Sequence, residues 1–212
     1  MKTTMTVHKA LSELKTLGSR IDKEIGKIEF FAVNKHSSAK VMGIPVKDFV
    51  TDVRADYTSI RDLINYRNAI KRAVTKSNAI TTVQIGGKTY TVAEAIEMKA
   101  TGINYLSGLL NRIESQYNSA KRMADRKNGD ELDRRADDYV KSLYENADMK
   151  NMSDEVEKVR KTFVESQTMD VIDPIGAEQV MEELKDKIDS FMTEVDSALS
   201  VSNALTTIEV EY

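Results

Sequence analysis

The 212-residue chain has no cysteine and no tryptophan, and only 2 prolines and 2 histidines. Without cysteine there is no thiol nucleophile, no disulfide and no thiolate-held zinc or iron–sulfur cluster. Aromatic residues make up 6% against 41% hydrophobic, so apolar contact must come from Leu, Ile, Val, Ala and Met packed in narrow helix seams. No apolar run approaches the roughly 20 residues a membrane-crossing helix needs. The start, MKTTMTVHKALSELK, lacks the hydrophobic region of a signal peptide. A cytoplasmic protein is expected. The formal net charge is −3, from 31 basic and 34 acidic residues interspersed along the chain, which argues against nucleic acid or an anionic membrane as partner.

What is present is charge, at 31% of residues, with few helix breakers. The pattern predicts one elongated domain over 1–212, divisible into a helix–hairpin–helix core at 1–128 and a helical segment at 129–212 that ends in a strand. The chain turns on residues 77–92, SNAITTVQIGGKTYTV. Apolar and polar residues alternate on either side of Gly86 and Gly87, and a Gly-Gly pair accommodates φ > 0 at both central positions of a tight β-hairpin. The sequence SNALTTIEV at 202–210 echoes SNAITTVQI at 77–85. Asn tolerates the left-handed conformation that closes a helix and Thr-Thr favours extended chain, so Asn78 and Asn203 are expected to mark two helix-to-strand junctions of one design. A third exit is expected where the first helix passes through Gly26 into IEFFAV at 28–33. The fold class expected is mainly α: an elongated antiparallel helical bundle or coiled coil, with the central hairpin and the N- and C-terminal strands in one small antiparallel sheet.

The first helix should begin near Thr6 and bury Leu14, Leu17, Ile21, Ile25 and Ile28, whose spacing makes one stripe. Pro45 suits the first turn of a second helix over 46–77 bearing Val46, Val50, Val53, Tyr57, Ile60 and Ile64. Thr91 and Glu94 match a capping box at the start of a third. That helix carries a heptad seam, Ile103, Leu106, Leu110, Ile113, Tyr117, Ala120 and Ala124, which predicts coiled-coil packing against the second helix or another copy of the chain. Asn128 and Gly129 can close it and Asp130 can cap the next, giving a helical hairpin, with an unbroken rod as the alternative. Leu132, Ala136, Tyr139, Val140 and Leu143 form the next stripe, followed by a polar connector at 145–152. Ser153 then starts a short helix with Val156, Val159 and Phe163. Asp173 and Pro174 should start the last, which carries Met181, Leu184, Ile188, Phe191, Met192, Val195 and Leu199 before a final strand at 205–212 that pairs with the central hairpin.

A search for chemistry returns little. Gly86, Gly87, Lys88 and Thr89 resemble the end of a phosphate-binding loop, but position 82 is Thr where that loop needs Gly. The calcium-loop likeness of DRKNGDELDRR at 125–135 fails because the first, third and twelfth ligand positions hold Ala124, Arg126 and Arg135. His8 and His36 have no orienting partner that can be named. Acidic neighbours such as Asp137 and Asp138 diverge around a helix. The basic groups at 71–76 and 121–127 lack stacking aromatics. Methionines at 149–152 and 181–192 read as core or as an adaptable groove. No catalytic, cofactor-binding or metal-ligating residue is assigned, and no cofactor is expected.

The stretches ALSELKTLGSRIDKEI and SNAITTVQIGGKTYTVAEAIEMKATGINYLSGLLNRI together resemble the septicolysin-like family of small bacterial and prophage helical proteins. The resemblance covers the chain to about residue 125, apart from 33–50, and not the segment beyond Asn128. It implies an Asn-bearing junction, a glycine hairpin, a long coiled coil and oligomerisation, with no catalytic residues to carry over. The function expected is that of a non-enzymatic interaction or scaffold protein of phage or prophage type, self-associating and binding other proteins. The alternative is a phage-encoded inhibitor that occupies a host defence protein.

Overall fold

A computed structural model describes residues 2–144 and 153–212. The polar connector at 145–152, with its two methionines, lies outside the described residues. The chain is mainly α-helical, with small antiparallel two-stranded sheets. It divides into two compact units, one comprising Met1–Thr101 with Ser190–Tyr212 and the other Gly102–Asp189. The divisions fall after Thr101 and after Asp189.

In the first unit, strand β1 (Lys2–Thr6) leads into helix α1 (Val7–Lys27), and a minimal hairpin, β2 (Lys40–Val41) and β3 (Ile44–Pro45), precedes helix α2 (Val46–Ile80). Strands β4 (Thr82–Ile85) and β5 (Lys88–Thr91) follow, then helix α3 (Val92–Glu97) and a π-helical turn, Met98–Gly102. The unit is completed by the later part of helix α7 (Ala177–Leu205) and by strand β6 (Thr207–Glu211). At 35 residues α2 is about 52 Å long. Pro45 is its N-cap, one position earlier than expected.

The two SNA segments do behave alike, but not by the expected device. Asn78 and Asn203 both lie inside helices, and the only non-glycine residue with positive φ among those described is Met42. The helices run on to Ile80 and Leu205, where the N–H of Thr81 donates to Ser77 O and that of Thr206 to Ser202 O, both at 2.9 Å. Thr81 then turns straight to extended backbone (φ −76°, ψ 131°). A β-branched residue is poorly suited to the left-handed region, and none is needed when the chain leaves the helix directly into a strand.

The strands do not form one shared sheet. The hairpin β4–β5 stands as one pair and β6 pairs antiparallel with β1, Met5 opposite Ile208 and Lys2 opposite Glu211. Residues 28–33 form no strand, although Ile28 is extended. The strand at this end of the sequence precedes α1 instead.

These two sheets are built to one pattern. Thr82 faces Thr91 and Val83 faces Tyr90, as Thr207 faces Thr6 and Ile208 faces Met5. After each lead-in strand a helix begins on Thr-Val with Ala three residues later: Thr6, Val7, Ala10 and Thr91, Val92, Ala95. Thr6 accepts from Lys9 N, and Thr91 accepts from Glu94 N in a complete capping box. Val7 N donates to Thr206 O at 2.9 Å and Val92 N to Thr81 O at 2.8 Å. The two long helices each carry a fully buried aliphatic at the same distance before the SNA segment, Ile70 in α2 and Val195 in α7. The core of the β1–β6 side gathers Met5, Val7, Ala10, Leu17, Ile70, Val74, Ile208 and Val210. At about 25 cal/mol per Å² of apolar surface covered, each large member contributes roughly 1.5–3 kcal/mol.

The stripe expected on α1 fades towards its end, where Ile25 is exposed, and the first half of α2 leaves Val46, Val50 and Tyr57 exposed as well. Both observations follow from a helix pair extending beyond the sheets that cover its other end.

The second unit contains α4 (Ile103–Asn128), α5 (Asp130–Leu143), α6 (Asp154–Gln167) and the first turns of α7. The α4 helix ends at a single residue, Gly129, and Lys127 still reaches Glu131 at 2.8 Å across it. Asn128 is thus the last helical residue, Gly129 is the N-cap of α5 and Asp130 is its first residue. The helices seen to fold back on one another are α5 and α6, aligned antiparallel by Arg160 with Asp133 and Asp137, and by Arg135 with Gln167. Asp173 caps at a distance, accepting from Ile175 N and Ala177 N, so that α7 starts four residues after it.

Candidate interaction surfaces

Gly86 and Gly87 occupy the expected hairpin turn, with φ +55° and +71°. The Gly86 N–H donates to Glu194 Oε2 at 2.7 Å, and a Cβ on Gly86 would meet Ser190 Oγ at 3.0 Å. The turn is therefore packed on α7, with Tyr90 edge-on to Phe191 at 5.6 Å and Lys99 paired with Asp196 beside it. The Gly-Gly-Lys-Thr run is a turn and the start of β5, with no helix start to cradle phosphate. Asn78 and Asn203 are half-buried one residue after Ser77 and Ser202.

The heptad seam expected at residues 103–124 runs along α4, beside a helix that the spacing did not predict as its partner. Ile103 and Leu110 are buried, while Leu106, Ile113 and Tyr117 are half-buried. Its partner within the second unit is the start of α7: Lys185 lies 3.8 Å from Glu114, and Glu178 takes hydrogen bonds from the Tyr117 hydroxyl at 2.9 Å and Lys121 Nζ at 3.2 Å. Residue 114 beside 185 and 121 beside 178 make the pair antiparallel. The Tyr117 hydroxyl and then Lys121 hold the Glu178 carboxyl below its ordinary pKa, and the carboxylate in turn raises both donors.

Two features of this unit escaped the sequence reading. Asp133 and Asp137, at i and i+4, converge on Arg160 at 2.8 Å each, whereas only adjacent acids had been weighed. Their hydrogen bonds, that of Asp137 foremost, hold the guanidinium still more firmly protonated. The Asn128 amide donates to Met169 O and accepts from Met169 N, standing in for a strand partner. Tyr139 stacks on Phe163 with centroids 4.6 Å apart.

Two grooves open in the first unit. One, of about 650 Å³, lies between the end of α2 and β6, with Arg72 and Lys76 facing Glu209 and Glu211, and Ile80 at its side. The other, of about 540 Å³, lies where α1 ends and α2 begins. Between α1 and α2 the Tyr66 hydroxyl donates to Glu13 at 2.8 Å, and its ring lies 4.2 Å from that of Tyr212. Burial first, and the Glu13 carboxylate second, push the Tyr66 phenol up to about 12. His8 and His36 are exposed. Among the described residues no three His, Asp or Glu side chains gather as a metal site, and no helix is long and apolar enough to cross a membrane.

On these surfaces apolar side chains stand in water beside mixed charges. Comparison of the chain with protein-family models, curated proteins and solved structures finds no match.

Proposed function

We propose that the chain is a non-enzymatic interaction protein, of phage or prophage type, that assembles with copies of itself in the cytoplasm and displays helical faces as a scaffold. The observation carrying this reading is the pair Ile80 and Leu205, at matched positions in the two SNA segments, exposed at 72% and 76%. Surface positions around them diverge, Arg72 against Ser197 and Lys76 against Val201, yet both junctions keep a large aliphatic in water. Neither side chain supports the fold where it stands, and covering each would contribute roughly 1.5–3 kcal/mol to an association. The resemblance to the septicolysin-like family points the same way.

Sedimentation over a concentration series tests the reading. The chain should sediment above its 23.8 kDa monomer mass, and Ile80→Ser with Leu205→Ser should weaken the assembly. A monomer at every concentration would overturn self-association.

The second reading, an inhibitor occupying a host defence protein, draws on Asp48, Asp52 and Asp56, which run down one line of α2 without an ion pair among the described residues. Affinity purification from a host lysate separates the two, since an inhibitor brings down a defence enzyme and a scaffold brings down itself or virion proteins.

A further inference from the structure

The far end of the α1–α2 pair carries features that the fold itself leaves unused. Phe31 and Val33 are exposed at 93% and 101%, in a stretch that is neither helix nor strand and joins no ladder. The sequence pattern there is that of a strand, and its backbone donors and acceptors have no strand partner. Apolar residues lead this segment and basic ones end it: Phe30, Phe31 and Val33, then Lys35, His36 and Lys40.

Beside it lies the groove of about 540 Å³, within the size range of sites that take small ligands or single anchoring side chains. Its floor includes Ile28, Ile44, Phe49 and Val53, and its rim carries Glu24, Glu29, Asp52 and Asp56. The one cation in the lining is Lys27, which already lies 3.4 Å from Glu24. Among the described residues the side chains of Glu29, Asp52, Asp56, Lys35 and Lys40 form no hydrogen bond or ion pair. One tip therefore presents an apolar groove with an acidic rim and, next to it, an apolar segment with a basic end.

We propose that this tip docks on a second copy of the chain, each copy seating Phe31 and Val33 in the groove of the other and placing Lys35 and Lys40 against Glu29, Asp52 and Asp56. The proposal rests on the self-association reading above and adds to Ile80 and Leu205 a second surface with its partner. Reciprocal use of one patch closes the contact as a two-fold dimer. The charges set which partner fits, because a like-charged occupant of the groove is repelled and an uncharged apolar one leaves the rim carboxylates without counter-charge.

The test uses the full chain and three double variants at exposed positions: Phe31→Ser with Val33→Ser, Asp52→Lys with Asp56→Lys, and Lys35→Glu with Lys40→Glu. Sedimentation equilibrium at low ionic strength should show each variant associating at least about tenfold more weakly than the parent, a loss of ~1.4 kcal/mol. Circular dichroism should show helix content unchanged. Mixing the two charge-reversed variants should restore a heterodimer, since each groove then meets a tail of opposite sign. A parent chain that is monomeric throughout would overturn this contact together with self-association. An oligomer indifferent to Phe31 and Val33, or a mixture that does not recover, would overturn the contact alone and leave self-association through other faces standing.

Discussion

The β4–β5 hairpin and the β1–β6 pair share register and lead-in motif, and each lies beside a long helix of its own, yet they differ in how the chain closes them. Gly86 and Gly87 join β4 to β5, whereas Lys2 and Glu211 occupy the equivalent places in the other pair and face each other, unjoined, at one end of the strand ladder. Closing a loop of about 200 residues in place of two costs roughly 4 kcal/mol more chain entropy if no other contact has formed. The β1–β6 sheet meets that cost with a buried cluster that joins Met5 and Val7 to Ile70, Val74, Ile208 and Val210. The hairpin carries less apolar weight because its turn is local. The same local motif can thus serve as a short-range nucleus in one place and as a long-range clasp in another.

The strongest way to break the comparison is to hollow out both supports. Ile70→Ala should cost about 3–4 kcal/mol and Val195→Ala about 2, by lost transfer energy and the cavity left behind, or roughly 2–4 °C of melting temperature per kcal/mol in a chain of this size. A Val195→Ala variant that melts with the parent would show that the two helices do not play one role.

A smaller effect should distinguish the turn. Gly86→Ala meets both a positive φ and the Ser190 hydroxyl, while Gly87→Ala meets only the φ. Losses of about 1.5 and 1 kcal/mol are expected in urea unfolding. Equal losses would mean that the turn does not press on α7.

The two helix starts sharpen the comparison further. Thr91→Ala should cost about 1 kcal/mol and Thr6→Ala somewhat less, because Lys9 replaces the reciprocal carboxylate that Glu94 supplies. Thermal melts of the two variants side by side decide this.

The smallest effect is in pH. The Thr91 backbone N–H, and then its hydroxyl, hold the Glu94 carboxyl below its ordinary 4.5. A carboxyl lowered in the folded state contributes stability above its unfolded pKa and loses it as pH falls through the folded one. The parent should therefore lose this contribution below about pH 4.5, and Glu94→Gln should not. Acid titrations of stability that superimpose would show the box idle.

Much of this was legible in the sequence. The α4 seam, the glycine turn, the capping box and the SNA repeat are local patterns, fixed by residues within a turn or two of one another. The partner of β6 was not legible, because pairing between residues 2–6 and 207–211 leaves no local trace. A usable signal did exist in Thr-Val-x-x-Ala at 6–10 and 91–95, the other half of the repeat whose SNA half was seen. The strand expected at 28–33 has the right alternation but no neighbour, and alternation alone does not supply one. The Arg160 clamp was missed for a related reason: the i, i+4 spacing of Asp133 and Asp137 was visible, but the cation arrives from another helix.

The opposition of Lys2 and Glu211 has a topological consequence. Val210 and Thr3 are spaced as Ile85 and Lys88 are, with room between them for a two-residue link. With Gly-Gly in place of Glu211 and Lys2 the strands could be joined there, and the chain opened instead between Gly86 and Gly87, with the pairs from Thr3–Val210 to Thr6–Thr207 and from Thr82–Thr91 to Ile85–Lys88 kept in register. A circularly permuted gene of that design would make the hairpin the clasp and the clasp the hairpin.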